Sequence, residues 1–342
     1  MSSLPAFLAN ASPVFVAPMA GGPSTPDLVM AAAQSGHIAQ LAAGYRTAEG
    51  MSEQIRTVRS DGTELFGVNV FVPNPSPIDP DIYRRYAETL LPTAKRFAVP
   101  GLPSILEDDD EWEAKIGVLV NDPVPIVSFT FGLPDATVVR RLRAAGSVTM
   151  QTVTSSREAQ LASALGIDVL VVQSAAAGGH SAILDPTRVP VNRSLPDLIR
   201  DVRSAVDLPL IATGGVTDAH DVRTVLEAGA AAVAVGTAVL RSPESGASSL
   251  HKDALANPTY NRTVLTRAFT GRPARALANQ FVIDHDADAP AGYPALHHLT
   301  KPIRTAATAA GDASAVNLWA GTGWKHATTA PATNTLAALA DY

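Results

Sequence analysis

Residues 148–180 read VTMQTVTSSREAQLASALGIDVLVVQSAAAGGH. Residues 169–173 form a continuous apolar run closed by a single amide, the pattern of a parallel strand covered on both faces. Residues 148–153 form a second strand-sized run. The segment between them, 156–165, has helical composition; Ser155 supplies a start and Gly166 a stop. The order is strand, helix, strand.

The same alternation extends in both directions. Strand-like runs fall at 14–18, 38–42, 66–71, 126–131, 148–153, 169–173, 209–213 and 232–236. Helical stretches lie at 26–34, 48–59, 80–97, 135–145, 156–165, 195–206 and 218–228, several opened by Thr25-Pro26, Ser155, Ser194 or Thr217. Eight such units in about 240 residues predict an α/β fold, a (β/α)8 TIM barrel; an open doubly wound sheet is the alternative. The residues with chemistry fall just after several different runs, as on the C-terminal face of a barrel. After Leu240 the pattern changes. Residues 241–246 (RSPESG) read as a linker, and 247–303 lose strand alternation while gaining Pro, His and Arg. The expected organisation is a barrel over 1–242, completed by 316–342, with a smaller, mainly helical substrate-capping domain over 243–315.

Composition narrows the chemistry. The chain has 342 residues, 46% hydrophobic and 17% charged, which is too apolar for a disordered polymer. A formal charge of −6 gives no basic footprint for nucleic acid. Cysteine is absent, which removes disulfides, thiolate catalysis and Cys-ligated metal. No metal site is expected, and the run Glu107-Asp108-Asp109-Asp110-Glu111 reads as a solvated loop or helix start. Without a signal sequence or an apolar stretch of about 20 residues, the expectation is a cytoplasmic protein without a membrane segment. Redox chemistry here would need a borrowed organic cofactor.

Several residues stand where such chemistry could occur. Gly178-Gly179-His180 follows the sixth run; His180 is either a base at the barrel mouth or a loop histidine bonding a carbonyl. Thr213-Gly214-Gly215 and Val235-Gly236-Thr237 follow runs seven and eight, where backbone N–H groups often hold phosphate; tight turns are the alternative. Asn69 and Gln173 are amides in apolar strands and demand partners, either a heterocycle edge or a neighbouring backbone group. Tyr293, His297 and Lys301 fall at i, i+4 and i+8, a helical face suited to a small anion or simply to solvent.

Taken in order, these motifs resemble the class I nitronate monooxygenases, formerly 2-nitropropane dioxygenases, across residues 13–319. The pieces include Pro18-Met19-Ala20-Gly21-Gly22, Leu41-Ala42-Ala43-Gly44-Tyr45, Phe66-Gly67-Val68-Asn69, the 173–180 loop, Thr270-Gly271-Arg272-Pro273-Ala274-Arg275, 293–301 and Trp319-Ala320-Gly321. The resemblance implies FMN as cofactor, held by Met19, Ala20, Gly21, Gly22, Asn69, Gln173, Gly178, Gly179, Gly214, Gly215, Gly236 and Thr237. It implies His180 as catalytic base and Tyr293, His297 and Lys301 as the substrate-pocket wall. The implied partners are a small nitronate or nitroalkane, such as propionate 3-nitronate, and O2, giving a carbonyl compound and nitrite. Monomer and homodimer both stay open. An NAD(P)H:quinone or enoyl-ACP reductase on the same barrel is the alternative, as is a non-catalytic flavin-binding protein. The sequence departs from the family pattern at His37, Ala176 and Ala219-His220.

Overall fold

A computed structural model describes residues 4–73 and 76–342. Eleven strands occur among them: β1 (Val14–Val16), β2 (Gln40–Ala42), β3 (Gly67–Phe71), β4 (Ile126–Thr130), β5 (Val148–Val153), β6 (Val169–Gln173), β7 (Gly179–His180), β8 (Leu210–Thr213), β9 (Ala232–Val235), β10 (Thr263–Thr266) and β11 (Ala274–Leu277). Eight of them, every strand-like run of the sequence, form one parallel sheet in the order β1-β9-β8-β6-β5-β4-β3-β2. A parallel bridge between Val16 and Ala39, with Val16 N–H donating to Ile38 O at 2.8 Å, joins its edges and closes the barrel. The fold is the TIM barrel.

Strand periodicity sorts the core into two layers. Val14, Val68, Phe129, Leu170, Leu210 and Val233 point outward and pack under the helices. Phe15, Ile126, Met150, Val169, Ile211 and Ala232 point inward, and Leu4 and Leu8 of the N-terminal segment pack with them. Local chemistry sets the helix ends. Thr25, Ser155 and Ser194 each accept a main-chain N–H as N-caps, with Pro26 at the start of the first of these helices, contributions of roughly 1 kcal/mol each. Before Ala219–Glu227 the cap is Asp218, one residue beyond the predicted Thr217, whose hydroxyl instead donates to Asp221.

A second apolar cluster lies over the barrel mouth. Phe269, Phe281, Leu296, Leu299 and Ile303 form its centre, within the segment expected to cap. Helices Ser249–Ala256, Gln280–His285 and Ala295–Ala309 dominate that segment, but β10 and β11, which sequence alternation did not reveal, form a three-stranded antiparallel sheet with β7. Two other stretches join the cluster: Leu318 to Trp324 near the C-terminus, and helix Pro80–Arg96 through Tyr83, Tyr86, Leu90 and Ala94. That helix, read from sequence as one of the barrel series, packs on Ala295–Ala309 instead, and the Tyr86 hydroxyl donates to Ala268 O at 2.5 Å. The barrel position after β3 belongs to Trp112–Asn121, whose Ile116 and Leu119 lie in the main core. Helix Ala332–Ala340 packs on the barrel through Leu336 and Leu339.

The acidic run ties the two layers together. Glu107 accepts from Ile78 N, Asp110 from Tyr45 N, and Glu111 from Ala48 N at 2.8–2.9 Å. Asp108 meets His298 Nε2 at 2.6 Å, and Asp110 meets the buried Lys115 Nζ at 2.7 Å. The run leads into helix Trp112–Asn121, and its carboxylates clamp chain segments that are distant in sequence.

Candidate active site

A cavity of about 470 Å³ opens between the C-terminal ends of the barrel strands and the cap. Met19, Ala20, Gly21, Asn69, Gln173, Gly178, Gly179, His180, Gly214, Gly215, Gly236, Thr237 and His297 all line it. Three predicted positions do not: Gly22, which packs against Gly246, and Tyr293 and Lys301 of the cap.

His180 owes its position to the cap sheet. The Gly178-Gly179 turn brings it into β7, where it pairs with Ala274 of β11. Glycine is required at 178 because a Cβ there would lie 2.4 Å from Gly321 N. Gln173 braces the loop, donating Nε2–H to His180 O at 3.1 Å and accepting from Ala182 N at 2.8 Å. Its amide therefore serves largely the backbone. The His180 ring sits edge-on to Phe131 at 5.4 Å and tilted against Trp319 at 5.1 Å. Nε2 lies 2.9 Å from Thr270 Oγ1, and no protein group among the described residues takes Nδ1. Burial, reinforced by Arg272 and Arg304, pushes the imidazole pKa down to about 3. His180 is a neutral ring with one tethered nitrogen and one nitrogen available for chemistry.

The barrel floor offers a different donor set. Asn69 Nδ2 reaches Ser128 Oγ at 2.9 Å and Thr130 Oγ1 at 3.0 Å, and Ser128 donates onward to Gln40 Oε1 at 2.6 Å. This chain leaves Asn69 Oδ1 as an acceptor and Gln40 Nε2 as a donor without partners among the described residues, both on cavity-lining residues. Gly67 makes room for Gln40, since a Cβ would come within 2.8 Å of Gln40 Cγ. Across the cavity, no acceptor among the described residues takes the main-chain N–H of Gly215, Val216 or Thr237. Amide donor and acceptor on one side and open N–H groups on the other fit a heterocycle joined to a phosphate. FMN, the cofactor that the sequence resemblance implies, has that chemistry.

The cap wall differs from its predicted form. Tyr293 precedes helix Ala295–Ala309 and belongs to a buried cluster with Phe71 and Phe131, its ring 6.0 Å from His180. Lys301 is exposed. The cation that reaches the cavity from this helix is Arg304, which is half-buried. Helical geometry explains the exchange: at about 100° per residue, position 304 falls about 20° from His297 and position 301 about 40° away on the other side. Tyr45, at φ 66°, lays its ring on His297 with centroids 4.2 Å apart and planes 3° from parallel. Arg272 is buried over the Phe131 ring, its guanidinium donating to the carbonyls of Ser181, Phe131 and Ile183.

Gln40, Tyr45, Thr270 and Arg304 are thus wall residues to which the sequence reading gave no role. Gln40 carried the same signal as Asn69, an amide in an apolar run. Of the departures, His37 is a buried tie, its Nδ1 2.8 Å from Val14 O at the start of β1. Neither Ala176 nor His220 lines the cavity. Among the described residues no cluster of three or more His, Asp or Glu could hold a metal, and no helix is long and apolar enough to cross a membrane.

A closed (β/α)8 barrel with a capped cavity at its C-terminal face, walled by the imidazoles of His180 and His297 and the guanidinium of Arg304, defines a small-molecule enzyme of the TIM-barrel class. The chain belongs to the nitronate monooxygenase family, whose model matches residues 3–340. A probable nitronate monooxygenase of Staphylococcus aureus strain Newman is 33% identical over 325 residues, 94% of this chain and 91% of that one. The solved nitroalkane oxidase of Streptomyces ansochromogenes is 44% identical with a TM-score of 0.91, over 96% of this chain and 94% of that one. FabK from Thermotoga maritima, at 21% identity and TM-score 0.75 over 97% and 93% of the two chains, shares the fold. The protein is an oxidoreductase.

Proposed function

We propose that this enzyme oxidises alkyl nitronates and nitroalkanes with O2, using FMN, to a carbonyl compound and nitrite. The observation that carries the reading is His180: Nε2 tethered to Thr270, Nδ1 without a partner among the described residues, and the ring under the positive charges of Arg272 and Arg304. Propionate 3-nitronate belongs to the proposed substrate class.

The chain's own residues supply proton transfer and exclusion of water. His180 Nδ1 accepts the α-proton of a neutral nitroalkane, while Thr270 keeps the ring oriented. Arg272 and Arg304 favour the negative charge that develops on the nitro oxygens as the proton leaves. Phe71, Phe131 and Tyr293 form an apolar roof beside the base that keeps the site dry. FMN, when bound, supplies the electron transfer and the reaction with O2. A nitronate arrives already deprotonated and needs no base.

The test is to purify the protein, record its visible spectrum and follow oxygen uptake with ethyl nitronate in the absence of NADH. Flavin absorbance with nitronate-dependent uptake is the expected result. A protein that takes up no FMN, or that acts only with NADH and a quinone, overturns the reading.

A further inference from the structure

Within the cap wall, His297 has no part in the proton transfer described above, and Arg304 enters it only through its charge. Arg304 is half-buried, and among the described residues no carboxylate pairs with it. Its Nε donates to Thr300 Oγ1 at 3.1 Å and Nη1 to Asn317 Oδ1 at 3.3 Å. Nη2 donates to the His297 carbonyl at 2.8 Å and faces His297 Nδ1 at 3.5 Å. A guanidinium has donors only, so the ring nitrogen it faces must carry the lone pair. The proton of a neutral His297 therefore resides on Nε2.

His297 is held in every other respect as well. The residue is 8% exposed, lines the cavity, and lies flat against Tyr45. Tyr45 in turn is fixed by its N–H to Asp110 Oδ1 at 2.9 Å. No protein group among the described residues takes His297 Nε2. A rigid N–H donor in a buried wall, backed by a guanidinium, suits an oxyanion.

We propose that His297, held as the Nε2–H tautomer by Arg304, donates a hydrogen bond to a nitro oxygen of the substrate, with Arg304 as the positioning residue behind it. This inference rests on the nitronate-oxidation reading and extends it to specificity. Both oxygens of a nitronate share a full negative charge, whereas those of a neutral nitroalkane carry less. The donor therefore selects the anion, and it strengthens its hold as His180 withdraws the proton.

The experiment uses FMN-loaded wild-type protein, His297→Phe, His297→Gln and Arg304→Met, with nitrate as an inert planar oxyanion. Long-range proton–nitrogen NMR reads the imidazole tautomer and its response to nitrate, and steady-state kinetics reads ethyl nitronate turnover. Wild-type His297 should carry its proton on Nε2 and shift on nitrate addition, and Arg304→Met should redistribute that proton between the two nitrogens. His297→Phe should raise the nitrate Kd and the nitronate KM about tenfold or more, the worth of one hydrogen bond to a charged group, with kcat falling by less than KM rises. His297→Gln keeps an N–H and should recover most of that loss. If His297→Phe fails to hold flavin, the tautomer and nitrate response of the wild type decide the matter. A proton on Nδ1, or nitrate binding that ignores His297, overturns the assignment even where nitronate is oxidised. Nitrate held by His297 in a protein that never consumes O2 with nitronate supports the donor and overturns the reaction instead.

Discussion

Nε2 of His180 lies 2.9 Å from Oγ1 of Thr270, across a boundary that sequence alone does not suggest: one residue is in the loop after β6, the other in the cap. The barrel supplies the base, and the cap supplies the group that orients it. Replacing His180 with Asn should lower turnover of a neutral nitroalkane by about 10²–10⁴, the usual worth of a positioned base, while largely sparing its nitronate. Thr270→Val should act in the same direction but more weakly, and Thr270→Ser should restore most of the loss. Steady-state oxygen uptake with nitroethane and ethyl nitronate in parallel checks all three. Equal losses on both substrates would remove His180 and Thr270 from proton transfer.

Burial sets an unusual pH behaviour. His180 is pushed from its ordinary 6.5 to about 3, first by desolvation and then by Arg272 and Arg304. The rate on neutral nitroethane should therefore lack the acid limb near pH 6.5 that a solvated imidazole would give. A base this weak holds its proton only beside the developing nitronate, so the preformed nitronate should be the better substrate. Stability follows with a definite sign. Between pH 6.5 and 3 the unfolded chain binds a proton at His180 that the folded chain refuses, so stability falls as pH drops through that window. The slope is at most about 1.4 kcal/mol per pH unit for each such group, and His251 and His297, also lowered by burial, add to it. Denaturant midpoints for wild type and His180→Asn from pH 7 to 5 should show a shallower decline in the variant.

The barrel was legible because its strands are apolar on both faces. Val169, Val171 and Ile211 face the interior, while Leu170, Val172 and Leu210 face the helices, so each run is continuous and countable. Cap boundaries were not. Tyr83, Tyr86, Leu90 and Ala94 form an apolar stripe that any neighbouring surface could cover, and nothing local says that the neighbour is Ala295–Ala309. The same limit applies to Arg304. The spacing of Tyr293, His297 and Lys301 presumes a helix through all three, but the helix begins at Ala295, and the stripe belonging to His297 continues to residue 304.

Cofactor retention should depend on Gly214 and Asn69 for separate reasons. Gly214 has φ 104°, and a Cβ there would come within 2.7 Å of Ser174 Oγ and 2.8 Å of Ala177 N. Gly214→Ala therefore strains its own backbone and pushes away the loop that carries His180, at a cost of roughly 1–3 kcal/mol. Asn69→Leu removes the acceptor on the barrel floor and strands Ser128 and Thr130 without their amide partner. Both variants should be purified with markedly less bound FMN, read as the ratio of flavin to protein absorbance. Full flavin content in Asn69→Leu would exclude that amide from cofactor binding.

The last prediction concerns the ion pair beneath Tyr45. Lys115 is 1% exposed, with Nζ 2.7 Å from Asp110 Oδ2 and donating to Ala43 O at 3.0 Å. Asp110 in turn accepts the Tyr45 N–H, so the pair supports the residue that stacks on His297. Burial raises the Asp110 pKa even though Lys115 opposes the rise, so this carboxylate depends on its partner to stay ionised. Lys115→Met keeps the packing of the stem but leaves Asp110 buried without compensation, which should cost about 3–5 kcal/mol in denaturant unfolding. Asp110→Asn paired with Lys115→Met removes both charges and should recover a large part of that loss. If Tyr45 is held through Asp110, the single variant should also raise KM for nitronate more than it lowers kcat, and the double variant should reverse much of that change. Loss of stability without any change in KM would leave the ion pair a structural element alone.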